Sequence, residues 1–152
     1  MMINSVAPVK KARKKSAAPV HISWGTAPEG SVVKTLIIEK VIKKIAKQLP
    51  GLATVAVVEV ATGNCLAHLS RTPGFDAAAV AAHNAALVRQ KQLAMAASGM
   101  RGERLTDILI PFRKQLHLIR LARGGQWFGY LAVDARDTSL GLAREILQAI
   151  IP

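Results

Sequence analysis

Apolar positions recur along the chain with two different periods, and these periods predict where helices and strands lie. Between residues 31 and 48, apolar residues return every three or four positions, which is typical of a helix with one buried side. The apolar positions of this helix are Val33, Leu36, Ile37, Val41, Ile45 and Ala46. Ser31 is placed to cap the helix, and Leu49-Pro50-Gly51 ends it.

Short runs rich in β-branched residues, bounded by glycine, asparagine or proline, predict five strands. Residues Leu52–Val60 and Cys65–Ser70 form a hairpin around Gly63. The other three strands follow a long helix and are Leu105–Phe112, Gln115–Ala122 and Trp127–Val133. Because proline cannot donate to a strand ladder, Pro111 favours a sheet edge or a strand end.

The long helix is predicted from Asp76, its capping residue, to about Ser98, and it has two apolar sides. One side carries Val80, Leu87, Val88 and Met95. The other carries Ala78, Ala82, Ala85, Ala86, Leu93 and Ala96. A surface helix needs only one apolar side, so we expect the alanine-rich side to pack closely against a second helix. The high helix propensity of alanine is the alternative explanation.

A last helix is predicted to begin near Thr138 or Ser139, which gives the order α-β-β-α-β-β-β-α. The net charge of +12 is unevenly divided among these elements. Residues 1–50 hold ten Lys and Arg against two acids, or +8, and residues 51–152 hold eleven against seven, or +4. Most of the excess charge therefore lies ahead of the predicted strands.

Residues 1–30 lack apolar periodicity, so we expect a disordered basic tail followed by one domain over residues 31–152. The cations of the tail that are placed to contact an anionic surface are Lys10, Lys11, Arg13, Lys14 and Lys15. Such contacts, including contacts with nucleic acid, would weaken steeply with salt. No apolar run reaches the roughly 20 residues that cross a bilayer, and no signal peptide is recognisable, so a cytoplasmic location is expected.

No pattern of an enzyme, a metal site or a cofactor site is recognisable. The single cysteine, Cys65, excludes an intrachain disulfide and a cysteine-rich zinc site. The four histidines have no metal-ligand spacing, and His117, between Leu116 and Leu118, is expected to be a surface or hydrogen-bonded residue. We therefore expect no catalytic residue, no bound metal and no cofactor, and a protein that is not an enzyme.

Several local patterns, taken in order, resemble the Roadblock/dynein light chain domain family. Residues 49–52 and 55–59, followed by a Thr-Gly turn, are similar to the opening of that domain. Residues 139–144, Ser-Leu-Gly-Leu-Ala-Arg, resemble the start of its closing helix, with Ser where Asn is usual. Its last three strands are matched by Ile108-Leu109-Ile110, by residues 116–120 and by residues 129–133. The resemblance spans about residues 32–151.

The resemblance implies a profilin-like α/β (α+β) fold, a five-stranded antiparallel sheet with helices on both faces. It also implies a homodimer formed through the central helix and the strand that follows it, about residues 76–98 and 105–112. The residues expected at the dimer interface are Ala78, Ala82, Ala85, Ala86, Arg89, Leu93, Asp107 and Leu109.

Members of this family are scaffolds and regulators of Ras-like small GTPases, or dynein light chains. The resemblance therefore implies a non-catalytic homodimeric adaptor or regulator of a small GTPase or of a motility or polarity system. Two other functions stay open. The tail could bind nucleic acid or anionic surfaces while the domain only dimerises, or the domain could sense a small molecule.

Overall fold

The computed structural model describes the backbone of residues 32–152 and the side chains from residue 36 onwards. The predicted tail, residues 1–30, and the predicted cap Ser31 lie outside this part. The elements follow the predicted order and are α1 (Val32–Gln48), β1 (Leu52–Glu59), β2 (Cys65–Ser70), α2 (Ala77–Ala97), β3 (Asp107–Pro111), β4 (Gln115–Leu121), β5 (Trp127–Asp134) and α3 (Leu140–Ile150).

The five strands form one antiparallel sheet in the order β2-β1-β5-β4-β3. Strand β1 pairs on one side with β2, its hairpin neighbour, and on the other with β5, near the end of the chain. Among residues 32–152, strand β3 pairs only with β4 and is one of the two sheet edges. This confirms the edge position predicted from Pro111, the last residue of β3.

Helices cover both faces of the sheet. Helices α1 and α3 lie on one face, where Val55, Leu118 and Leu131 are fully buried. Helix α2 lies on the other face, which carries Phe128 and Tyr130. Because successive side chains of a strand point to opposite faces, the central strands β1 and β5 are buried along almost their whole length. Their nearly continuous apolar sequences follow from this burial.

The buried side of α1 differs from the predicted one. Residues Ile42, Ile45 and Leu49 are at most 3% exposed, whereas Leu36 and Ile37 are 53% and 56% exposed. The apolar spacing groups Leu36 and Ile37 with the buried Ile45, but in the structure these two residues lie on the exposed side of α1. A spacing of three and four residues fits both the apolar positions named from the sequence and the positions that are buried. Only the position of α1 over the sheet selects the buried positions, which begin with the half-buried Ile38.

Helices α2 and α3 start where the sequence predicts. The carboxylate of Asp76 accepts a hydrogen bond from the Ala79 amide at 3.0 Å, and the hydroxyl of Ser139 accepts one from the Leu142 amide at 3.2 Å. Both are side-chain N-caps. Just before Ser139, the buried hydroxyl of Thr138 donates to the carbonyl of Pro50, which ties the start of α3 to the turn between α1 and β1.

The β1–β2 turn lies directly against α2. Its Gly63 has a φ of +75°, in the left-handed region that favours glycine. A Cβ at this position would lie 3.2 Å from the Ala82 Cα and 3.5 Å from the Ala85 Cβ. Glycine is therefore required here both by the backbone conformation and by the close approach of the helix.

Gly63→Ala is expected to lower the free energy of unfolding by about 2–4 kcal/mol, since it combines left-handed strain with a tight contact of 3.2 Å against the backbone of α2. The matched control is Gly74→Ala. Gly74 has a φ of +71°, but a Cβ added there would have no neighbour within 4 Å, so this variant carries only the strain. Urea unfolding of both variants measures the difference. Equal losses for the two variants would show that the Gly63–α2 contact is unimportant.

Candidate interaction surface

Helix α2 is supported by its own sheet along only half of its length. In the first half, Ala81, Ala85 and Val88 are at most 1% exposed. From Gln90 to Ala97, every side chain except that of Met95 is exposed. Helices are marginally stable in water without tertiary packing. The second half of α2 is therefore the part of the described structure that would gain most from a partner.

A row of mostly exposed apolar residues runs along α2 beside the side that meets the sheet. At helical spacing it contains Ala82, Ala86, Leu93 and Ala97, with Arg89 between Ala86 and Leu93. Leu93 is 62% exposed, the largest fraction among the large apolar side chains described. The side chains of the alanines are small, and the axes of packed helices lie closer together where the side chains at the contact are smaller. A second helix could therefore approach this side closely.

The structure separates the predicted interface residues of α2 into two groups. Ala78, Ala82 and Leu93 are exposed and Ala86 is half-buried, so these four remain accessible. Ala85 is 0% exposed and packs in the core between α2 and the sheet, so its side chain is not accessible to a partner in this structure. Because α2 has small residues all around it, the spacing of alanines does not identify the side that meets the sheet.

Arg89 is half-buried, whereas Leu87 is exposed. The Arg89 guanidinium donates to the Val60 carbonyl at 2.6 Å, and so it fastens α2 to the β1–β2 turn. Leu87, which the sequence placed on the same side of α2 as Val80, Val88 and Met95, is 38% exposed. Met100, just beyond the helix, is 45% exposed. Only their apolar character in the sequence indicated that these two residues could contribute to an interaction surface.

Strand β3 presents a free backbone edge. The β3–β4 hairpin is bounded by hydrogen bonds from the Phe112 amide to Gln115 and from the Leu121 amide to Thr106. Because pairing alternates along an antiparallel ladder, Ile108 and Ile110 bond towards β4 while the intervening residues face outwards. The outward-facing residues are Asp107, Leu109 and Pro111. The nitrogen of Pro111 faces outwards, so its missing proton removes no bond to β4. An added strand would therefore pair mainly with Asp107 and Leu109.

The side chains of Asp107 and Leu109 lie on the sheet face of α3, not on that of α2. Asp107 is 6% exposed and binds Arg120 at 2.7 Å and Arg144, from α3, at 3.1 Å. Its carboxylate is therefore paired with arginines of the same chain, and only its backbone is free to hydrogen-bond an added strand. Leu109 is 36% exposed. A strand pattern does not tell which side chains face which helix, so this distinction could not be predicted.

Nucleophilic and metal chemistry have little support in residues 36–152. Burial raises the pKa of the Cys65 thiol to about 11, so that it stays protonated at neutral pH. Within these residues, no three His, Cys, Asp or Glu side chains come together in a way that could hold a metal ion. None of the helices in the described region is long and apolar enough to cross a bilayer.

His117 belongs to a hydrogen-bonded chain at the β3–β4 hairpin. The Tyr130 hydroxyl lies 3.2 Å from its Nδ1, and Gln115 Oε1 lies 3.1 Å from its Nε2. The neutral imidazole with its proton on Nε2 satisfies both contacts, which confirms the predicted hydrogen-bonded role. The Phe112 ring packs against His117 at 4.5 Å between centroids. An open cavity of about 500 Å³ is lined by Phe112, Arg113, Lys114, Gln115 and His117, but both ring nitrogens of His117 are already hydrogen-bonded.

Comparison with known proteins supports the fold. No protein-family profile matches the chain, and no curated protein does. Among solved structures, the chain is similar to Myxococcus xanthus MglB at 18% identity, covering 77% of this chain and 84% of that one with a TM-score of 0.68. It is similar to the gliding protein MglB of Thermus thermophilus at 16% identity, with coverage of 76% and 84% and a TM-score of 0.64.

A Roadblock/LC7 domain from Streptomyces avermitilis is similar at 14% identity, covering 73% of this chain and 89% of that one with a TM-score of 0.60. Together with the element order and the sheet topology, these likenesses show that the described residues have the Roadblock/LC7 fold. The fold implied by the resemblance of the sequence is thereby confirmed.

We expect His117 to make the domain less stable in mild acid. Burial lowers the pKa of His117 below its ordinary value of 6.5, so the folded state binds its proton more weakly than the unfolded state does. The resulting contribution to the free energy of unfolding is complete above about pH 6.5 and is lost as the pH falls from there through the folded pKa, because burial disfavours the charged imidazolium. Urea unfolding at several pH values should show a shallower dependence for His117→Phe. Parallel curves for the two proteins would contradict this role.

Proposed function

We propose that the chain forms a homodimer through α2 and the free edge of β3, and that the dimer acts as a non-catalytic adaptor or regulator. The exposed second half of α2, with Leu93 62% accessible, carries this proposal. The unpaired edge of β3 supports it, because an open strand edge is a template for another strand. The loop of residues 98–106 joins the two features along the chain, and in the proposed dimer the partner covers both.

A small GTPase of a motility or polarity system is the proposed partner of the dimer. The fold is similar to that of two MglB proteins, one of them described as a gliding protein, and the sequence resembles a family of GTPase regulators. A further similar structure shows MglB in a tetrameric arrangement, at 14% identity and a TM-score of 0.63, which supports self-association. A non-catalytic regulator would act by binding one nucleotide state of the GTPase more tightly.

Leu93→Arg is expected to convert the dimer to a monomer. Placing an unpaired guanidinium in a closely packed helix interface should cost roughly 3 kcal/mol or more, at least a hundredfold in the dissociation constant. The control is Leu36→Arg, since Leu36 is similarly exposed, at 53%, but belongs to α1 on the opposite sheet face. Light scattering after size exclusion measures the mass. A dimer that survives Leu93→Arg would exclude α2 as the interface.

Pairing of β3 edges is tested at Leu109, whose amide faces outwards. Leu109→Pro removes this donor without removing a hydrogen bond to β4, whereas Leu109→Ala removes the side chain and keeps the donor. By two-fold symmetry the proline variant loses two interface hydrogen bonds, so its dimer should be about tenfold weaker or worse than that of the alanine variant. Sedimentation equilibrium gives both constants. Equal weakening would argue against backbone pairing at this edge.

The partner is tested by affinity capture from lysate of the source organism, loaded with either GDP or a non-hydrolysable GTP analogue. We expect the wild-type chain to retain a Ras-like GTPase in one nucleotide state only, and Leu93→Arg to lose it while Leu36→Arg keeps it. Mass spectrometry identifies the captured proteins. Capture of no Ras-like GTPase in either state, by a chain that is dimeric, would contradict the GTPase assignment and leave the dimer intact.

A further inference from the structure

The outward side of α1 forms a continuous exposed strip. Its members, from the N-terminal end, are Leu36, Ile37, Lys40, Lys43, Lys44 and Lys47, and all are exposed. Their spacing of three and four residues places them on the side opposite the buried Ile42 and Ile45. At 1.5 Å per residue the strip is about 16 Å long. One end of it is aliphatic and the rest is cationic.

The charge of this strip is not neutralised within the described part of the protein. The four lysines face one acid on the same helix, the half-buried Glu39, which leaves +3 over residues 36–47. The ion pairs among the described residues involve Arg120, Arg136 and Arg144, and none involves a lysine of α1. The strip is therefore a cationic surface without an intramolecular counterpart in the described region.

We propose that this strip binds the surface of a membrane that contains anionic lipids. Lysines at such a surface reach the lipid phosphates, while the aliphatic side chains of Leu36 and Ile37 enter the boundary between headgroups and acyl chains. Nucleic acid would use the lysines equally well, but it offers nothing to two exposed aliphatic residues. The strip also lacks the aromatic side chains on which bases stack. Its combination of cationic and aliphatic residues is what a lipid surface fits best.

The position of α1 keeps this surface separate from α2. Helices α1 and α2 lie on opposite faces of the sheet, so a partner that covers α2 leaves the lysines of α1 accessible. Membrane binding by the strip therefore requires neither the proposed dimer nor the proposed GTPase partner, and charge variants of α1 test it separately from both.

The test is co-sedimentation of the full chain with vesicles of phosphatidylcholine alone or of phosphatidylcholine mixed with phosphatidylglycerol. We expect binding to the mixed vesicles only. Each lysine near an anionic surface contributes about fivefold to binding, so Lys40→Gln/Lys44→Gln should bind about 25-fold more weakly. The matched control, Lys114→Gln/Arg123→Gln, removes the same charge from exposed sites outside α1 and α2 and should bind like the wild type. Equal losses for the two double variants would overturn the assignment to α1.

Two further variants separate a membrane from other anionic partners. Leu36→Ser/Ile37→Ser keeps every charge and should weaken vesicle binding roughly tenfold, because the aliphatic contact is lost. Its binding to double-stranded DNA should be unchanged. If vesicle binding is also unchanged, the strip recognises charge alone and the membrane proposal fails.

The basic residues near the start of the chain are controlled by a variant with glutamine at Lys10, Lys11, Arg13, Lys14 and Lys15. We expect this variant to keep binding the mixed vesicles, and to lose that binding when Lys40→Gln/Lys44→Gln is added. Complete loss of vesicle binding on changing only these five basic residues would place the membrane contact there and overturn the proposal. Circular dichroism of each variant verifies that the fold is retained, as expected for changes at exposed positions.

Discussion

The pairing of β1 with β5 is the contact on which the remaining architecture depends. It joins the first strand to the last, and both are buried on both faces by helices. Strands β2 and β4 add to the two sides of this pair, and α1 and α3 pack together on one of its faces. Within residues 32–152 the sheet ends at β3, whose outer backbone has no described strand beside it. The outer edge of β3 is therefore the part of the sheet that remains open to a partner strand.

The sequence predicted the elements well because their signals are local. The capping residues Asp76 and Ser139 start their helices, and Pro111 lies at a strand end and a sheet edge, each through a property of the residue itself. Pairing of β1 with β5 is a tertiary choice that periodicity does not encode, and the antiparallel sheet was expected only from the family resemblance. Covering of both faces followed from the same resemblance.

The candidate interface was harder to predict than the fold because the relevant signals are ambiguous in sequence. Alanines lie all around α2, so their spacing did not distinguish the buried Ala85 from the exposed Ala82. Likewise the apolar residues of α1 fit two helical sides, and only the sheet beneath decides that Ile42 is buried and Leu36 is exposed. The ion pairs of Asp107 join residues distant in sequence, and no local pattern indicates them.

The two proposed surfaces are compatible for a geometric reason. Antiparallel pairing of two β3 edges would be related by a two-fold axis perpendicular to the sheet, which keeps equivalent faces on the same side. The α2 helices of both protomers would then meet on one face, and both α1 helices would lie on the other. A dimer would thus direct two lysine strips towards the same side. If both strips reach one membrane, the second contact is intramolecular, so dimerisation would strengthen a weak attraction without any new contact.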